Sequence, residues 1–279
     1  LLVTNFRTQV TIERVGDPSR FDEQARTDAQ AIVARYPAGQ SRSALLPMLH
    51  LVQSIEGCIT PDGIAFCAER LGITHAQVAA VATFYTMYKR TPTGEYLVSV
   101  CTNTLCGLLG GDDIYKSLSE TLGVGMNETT ADGTITLEHA ECLAACDYAP
   151  VVTVNYEFFD NQTVDSATDL VGQLKGGARP LPSRGAPLCS FKEIERQIAG
   201  FLDPRPEALE ATGAGTPTKI GVELADRRGE RAPTYPMSAP AASPAPAAAS
   251  SQPPTSAHDA PLQTAVSDPA HPAGKEADS

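Results

Sequence analysis

Two close pairs of cysteines constrain this chain more than any other feature. Cys101-Thr-Asn-Thr-Leu-Cys106 is followed by thirty-five residues and then by Cys142-Leu-Ala-Ala-Cys146, so four of the seven cysteines fall into two short stretches. Each pair comes just after a short β-type run. Tyr96-Leu97-Val98-Ser99-Val100 precedes the first, and Thr134-Ile135-Thr136-Leu137 precedes the second. Gly107, Gly110 and Gly111 follow the first pair, and Ala149-Pro150 follows the second. Four thiolates converging from two loops, with glycines that let backbone N–H groups approach sulfur, suit an iron–sulfur cluster.

Spacing leaves rivals open. Structural zinc favours C-x2-C knuckles, whereas the gaps here are four and three residues and neither loop has a flanking charged hairpin. Thiol–disulfide exchange wants C-x-x-C, and Cys101 and Cys106 are too far apart for that motif. Plant-type ferredoxins share the C-x4-C opening, but their third cysteine follows after two residues. On spacing alone an iron–sulfur cluster stands ahead of zinc, and neither is excluded. Cys58, Cys67 and Cys189 have no paired spacing, and the first two read as small buried hydrophobes. His139 precedes Cys142 by three residues; Rieske-type ligation needs two histidines, so it reads as a surface or core side chain. Asp62, Glu69 and Arg70 read as a solvated helix face. No residue stands out as a catalytic acid, base or nucleophile.

The surrounding pattern divides the chain. Residues 1–18 read as an arm and 19–91 as a small helical bundle that serves as a docking domain. Ser19 is the expected cap of a first helix with Phe21, Ala25, Ala29, Ile32, Val33 and Tyr36 on one face before Pro37. A second helix carries Leu45, Met48, Leu49, Val52 and Ile55 and stops at Gly57. Thr60-Pro61 opens a third and Thr74 caps a fourth. Pro92-Thr93-Gly94 breaks the helical pattern, and 92–180 reads as mixed α/β. There Asp112-Asp113 open a helix closed by Gly123, 151–154 is a strand, and Asp160-Asn161 turn into a further strand around Val164. Asp165 or Ser166 caps a last helix bearing Leu170, Val171 and Leu174. The order βαβββα suggests a thioredoxin-like sandwich, hence an α/β (α+β) chain. Residues 181–203 form an extension with one amphipathic helix, 191–202. From 204 to 279 proline, alanine and serine dominate, and no aromatic follows Tyr235, so this tail reads as disordered or partner-bound.

Composition narrows the function classes. A net charge of −12 argues against general nucleic-acid or anionic-membrane binding. No apolar window approaches bilayer length, and Leu1-Leu2-Val3 is too short for a secretory signal. An odd number of cysteines without an export signal fits reduced thiols or metal ligands. The chain does not begin with Met, which leaves its true start open.

Residues 19–180 resemble the 24-kDa-type [2Fe–2S] subunit of respiratory complex I, the NADH:quinone oxidoreductase. Val81-Ala-Thr-Phe-Tyr-Thr-Met-Tyr88, Val100-Cys101-Thr-Asn-Thr-Leu-Cys106 and Glu141-Cys142-Leu-Ala-Ala-Cys146-Asp-Tyr-Ala-Pro150 carry the resemblance. It implies a thioredoxin-like fold and a cluster ligated by Cys101, Cys106, Cys142 and Cys146. It implies a partner flavoprotein that itself binds FMN, NADH and another cluster, and a place in the peripheral arm without membrane insertion. That place is the cytoplasmic face of a bacterial plasma membrane, or the mitochondrial matrix side in a eukaryote. Any catalysis then belongs to the assembly, with this chain relaying electrons. NAD-linked hydrogenases and formate dehydrogenases use related modules, and a metal-stabilised scaffold subunit is the alternative of a different class. Two departures stand out: Ala144-Ala145 where the family often has glycine, and a tail after about residue 203 with no counterpart.

Overall fold

The structure, a computed structural model, describes residues 16–211 and 215–232. All but the last three residues of the expected arm lie outside these ranges, as does the tail from 233 with Tyr235 and Met237. The described residues up to Gly229 belong to one compact unit, and another begins at Glu230.

Caps and apolar stripes explain the first four helices. Helix α1 (Glu23–Val33) starts where the Asp22 carboxylate accepts from the Ala25 N–H at 2.8 Å. Ser19, the expected cap, lies instead in a 3-10 turn (Pro18–Arg20) capped by Asp17. An aspartate gains over serine because its charge also meets the positive end of the helix. Helix α2 (Leu45–Glu56) stops at Gly57 in the left-handed region, φ 80°. Thr60 caps α3 (Pro61–Leu71) with Pro61 in the first turn, and a Thr74–Gln77 capping box opens α4 (His75–Phe84). Ile32, Met48, Leu49, Phe66 and Val78 fill the core between them.

The second half is built on a sheet of order β2-β3-β1-β4-β5. Strand β1 (Tyr96–Cys101) is buried along its length, as an inner strand covered on both faces should be. It runs parallel to β3 (Ile135–Ala140) and antiparallel to β4 (Val152–Val154), with β2 (Glu128–Thr129) and β5 (Glu157–Phe159) outermost. On one face α6 (Gly111–Leu122) and α7 (Val164–Lys175) press Ile114, Leu118, Val171 and Leu174 onto Val98, Val100, Ile135 and Leu137. On the other, α8 (Phe191–Ile198) lays Phe191 and Ile194 against Leu97, and Ala199 beyond it enters the core of the first four helices.

Four expectations need correction. The fourth strand is 157–159, not around Val164: Asn155 and Tyr156, both at positive φ (48° and 70°), form the hairpin turn. Buried Asn155 holds that turn by accepting from the Leu97 N–H at 2.8 Å and donating to the Cys189 carbonyl at 2.7 Å. Val164 therefore begins α7, and Thr163 caps it, with Ser166 answering in a capping box rather than acting as the cap. The order βαβββα gains a short helix after β1 and the two-residue β2. Within the stretch from 204, expected to be disordered or partner-bound, α9 (Pro206–Leu209) and α10 (Thr216–Arg228) are helical. In helix α10 proline sits in the first turn and Arg227 and Arg228 complement the dipole in the last.

Candidate metal centre

Both cysteine pairs hang from the C-terminal ends of adjacent parallel strands. Cys101 is the last residue of β1, opposite Ala140 at the end of β3, and Cys142 follows two residues on. The loops are stitched together: the Thr102 N–H donates to the Ala140 carbonyl at 3.3 Å and the Asn103 amide to the Glu141 carboxylate at 2.8 Å. Asn103 also caps a short helix, α5 (Thr104–Leu108), which carries Cys106. The stretch 107–111 joins the end of α5 to the start of α6. Gly110 takes the left-handed region at φ 107°, while Gly107 and Gly111 serve close approach. A Cβ on Gly111 would drive into the Cys101 carbonyl oxygen and stand 2.9 Å from that of Cys106, and one on Gly107 would meet the Thr102 carbonyl at 2.9 Å.

The thiols form an inner and an outer pair. Cys101 and Cys106 are buried, whereas Cys142 and Cys146 are exposed, with their Sγ atoms 3.8 Å apart. Burial pushes the Cys106 thiol up to about 11, reinforced by its hydrogen bond with Cys101 and by the charge of Cys146. The hydrogen bond with Cys142 raises Cys146, and Cys101 adds to the effect. The thiols interact directly within each pair, Cys101 with Cys106 and Cys142 with Cys146. One backbone N–H group is aimed at sulfur, that of Ala144 at Cys142 Sγ (3.4 Å). Among the described residues no three His, Cys, Asp or Glu side chains gather as ligands of a single ion. Two separate thiol pairs, with an N–H donor to sulfur, fit a two-iron cluster that takes two thiolates per iron better than one tetrahedral zinc. Loading such raised thiols releases their protons, so uptake falls as pH is lowered.

Ala144 sits at φ 56°, where the backbone favours glycine. A left-handed alanine costs about 1–2 kcal/mol, part of which glycine would return as unfolded-state entropy. Ala144→Gly is therefore expected to keep the Ala144-to-Cys142 N–H···S bond and to gain up to about 1 kcal/mol in denaturant unfolding. A destabilised variant would show that the alanine methyl makes a contact that matters more.

Behind the loops lies a layer that sequence spacing does not reveal. Leu143, Tyr148, Ala149 and Phe158 pack against Cys101, Cys106, Ala145 and Val151. Arg184 stacks over both rings, 4.9 Å from the Tyr148 centroid and 4.3 Å from that of Phe158. Asp160 grips its guanidinium at 2.9 and 3.2 Å. Gly215, just before α10, lies so close to the Tyr148 hydroxyl that no Cβ fits there. The remaining expected residues are placed elsewhere. Cys58, Cys67 and Cys189 are buried and unpaired. His139 makes an edge contact with Tyr115, centroids 6.0 Å apart. Asp62 is more than a solvated carboxylate, since it accepts from the Asp17 N–H at 2.7 Å and pairs with Arg20.

Parallel strands ending in two thiol loops, backed by two helices, define a ferredoxin built on a thioredoxin-like sheet. The chain belongs to the thioredoxin-like [2Fe–2S] ferredoxin family, whose family model matches residues 29–175. Among curated relatives, an NADH-quinone oxidoreductase subunit of Mycobacterium tuberculosis is 56% identical over 209 residues, covering 75% of this chain and 82% of the relative. A like-named NADH-quinone oxidoreductase subunit of Rickettsia conorii is 39% identical over 156 residues, 56% of this chain and 93% of the relative. NADH-quinone oxidoreductase subunit 2 of Thermus thermophilus is 39% identical over 147 residues, 52% of this chain and 81% of the relative.

Proposed function

We propose that this chain is the electron-transfer subunit of an NADH-oxidising module of respiratory complex I, with Cys101, Cys106, Cys142 and Cys146 as ligands of its [2Fe–2S] cluster. The observation that carries the reading is the two thiol pairs at the ends of parallel β1 and β3; the curated relatives named as NADH-quinone oxidoreductase subunits support the assembly. When bound, the cluster supplies a one-electron couple whose potential depends on charge, N–H···S bonds and exposure. The chain's residues do the rest. Buried Cys101 and Cys106 anchor the site in the fold and keep water from its inner side. Exposed Cys142 and Cys146 turn its outer side toward a partner. The Ala144 N–H group favours the more negative, reduced state. Leu105, Leu108 and Leu109, exposed on and after α5, offer an apolar rim that a partner would dehydrate.

That partner is the flavoprotein subunit, which binds FMN and NADH and exchanges single electrons with this chain, within the peripheral arm. Residues 19–91 act as the docking domain, 92–180 as the cluster domain and 181–203 as their brace. No helix among the described residues is long and apolar enough to cross a membrane. The curated relatives named as NADH-quinone oxidoreductase subunits support a place at the cytoplasmic face of the plasma membrane, reached through the complex. The full purified chain is expected to hold two irons and two acid-labile sulfides and to give the paramagnetic signal of a reduced [2Fe–2S] centre. Tetrahedral zinc without labile sulfide would overturn the reading in favour of a scaffold.

A further inference from the structure

We infer that Arg184 and Asp160 are a charge pair whose two members bear on the reduction potential of the site in opposite senses, Arg184 acting through Tyr148 as a positioning residue for the outer cysteine loop. The inference rests on the four-cysteine reading above. Arg184 lies outside the region matched by the family model, in the segment after α7, yet the chain brings it back to the cysteines. Ser183 and Arg184 pair with the free edge of β5: the Ser183 N–H donates to the Phe158 carbonyl at 2.8 Å and the Phe158 N–H to the Arg184 carbonyl at 3.4 Å. The Asp160 N–H donates to the Ser183 hydroxyl at 2.9 Å. This pairing delivers the guanidinium across Tyr148 and Phe158, two rings that pack against the buried cluster holding Cys101, Cys106, Ala145 and Val151. The next turn is tied to the same loop, the Asn161 N–H donating to the Tyr148 carbonyl at 2.8 Å and the Gln162 N–H to that of Pro150 at 2.9 Å.

The pair is well shielded from solvent: the Arg184 side chain is 14% exposed and that of Asp160 5%. Charges so placed are poorly screened and act on a neighbour whose net charge changes by one. Adding an electron makes the site more negative, so the guanidinium favours the reduced state and the carboxylate opposes it. Together they nearly cancel. Removing either alone leaves the other uncompensated, and the two removals move the potential in opposite directions. A clamp that served only to hold the loop would not behave so, since loosening it from either side has the same consequence.

Arg184→Gln, Arg184→Lys and Asp160→Asn in the full chain test this by iron and sulfide content and by redox titration followed through the paramagnetic signal. Wild-type protein without iron and sulfide would defeat the ligand reading itself, before the variants enter. With the cluster present, Arg184→Gln is expected to lower the reduced-to-oxidised ratio at a given potential about tenfold, or 59 mV for one electron. Asp160→Asn is expected to raise it by a similar factor, and Arg184→Lys, which keeps the charge, to stay near wild type while unfolding more easily. Unchanged potentials, or shifts of the same sign in Arg184→Gln and Asp160→Asn, would overturn the proposal. Should Arg184→Gln fail to hold the cluster, Arg184→Lys near wild type with Asp160→Asn raised supports it. Asp160→Asn at or below wild type overturns it.

Discussion

Gly111→Ala is expected to strip the cluster and lower stability by about 3 kcal/mol or more, the upper end of what forcing extra methylenes into a filled core costs. Helix propensity alone predicts the opposite. Gly111 is the first residue of α6, and alanine beats glycine in a helix by up to about 1 kcal/mol. Sterics decide the sign. The new Cβ would run into the carbonyl oxygens of Cys101 and Cys106, and backbone atoms at the end of a buried strand have no rotamer into which to retreat. Either α6 lifts, pulling Ile114 and Leu118 from the main core, or the cysteine loop moves and Cys106 leaves Cys101. Gly123→Ala is the control. Gly123 closes the same helix at φ 68° with nothing near its absent side chain, so alanine there costs only the left-handed penalty of about 1–2 kcal/mol and should keep the cluster. Iron content and thermal unfolding of both variants check this. Gly111→Ala with wild-type iron would mean that the loop yields more easily than its contacts imply.

That glycine shows what the sequence could and could not disclose. The four cysteines were legible because each pair is local: a gap of three or four residues survives as a pattern in the chain, and the strand before each pair signals which end of the sheet it leaves. The glycines were visible too, but the close approach at Gly107 and Gly111 was not, because the atoms they make room for belong to other turns of backbone. Helix α5 leaves no trace in the pattern because five residues containing a glycine give no period to read. Strand β5 is hidden for a similar reason. Three residues cannot show alternation, and the Asn155-Tyr156 turn hides its left-handed geometry behind a tyrosine. The capping errors at Ser19 and Ser166 arose where two acceptors compete within a few residues, a contest settled by a hydrogen bond rather than by residue type. Arg184 and Asp160 were out of reach for the plainest reason: 24 residues separate them, and only a paired edge strand brings them together.

Removing the carboxylate of Glu195 is expected to cost about 3–5 kcal/mol, the usual penalty for taking one partner from a buried acid–base pair. Glu195 is fully buried on α8 although its residue type almost never is. One carboxylate oxygen meets His50 Nδ1 of α2 at 2.6 Å, and the other accepts from the Tyr156 hydroxyl at 2.9 Å. Burial, then the Glu195 charge, holds the Tyr156 phenol far above its ordinary range, so it stays a donor to that carboxylate. The His50 ring rests against Tyr88, centroids 5.0 Å apart. A single side chain therefore joins the helical core, the hairpin beyond β4 and the segment after the sheet. Nearby, Lys89 and Ser99 share the Glu138 carboxylate across the same seam, so this face of the sheet is joined to the helices by polar pairs as much as by apolar contact. Glu195→Ala would leave two buried polar atoms without a partner and open a cavity between α2 and α8. At about 2–4 °C per kcal/mol for a chain of this ordered length, the midpoint should fall by about 6–20 °C. Glu195→Gln, which keeps the volume and an acceptor for Tyr156, should lose less than half as much. His50→Ala combined with Glu195→Ala should be less destabilising than the two singles added, by about 1 kcal/mol or more, because the second deletion removes a group the first has already orphaned. Thermal unfolding of the four proteins, followed by far-ultraviolet circular dichroism, measures that coupling. Additive losses would mean that His50 and Glu195 are each held by other neighbours and that the seam does not depend on their bond.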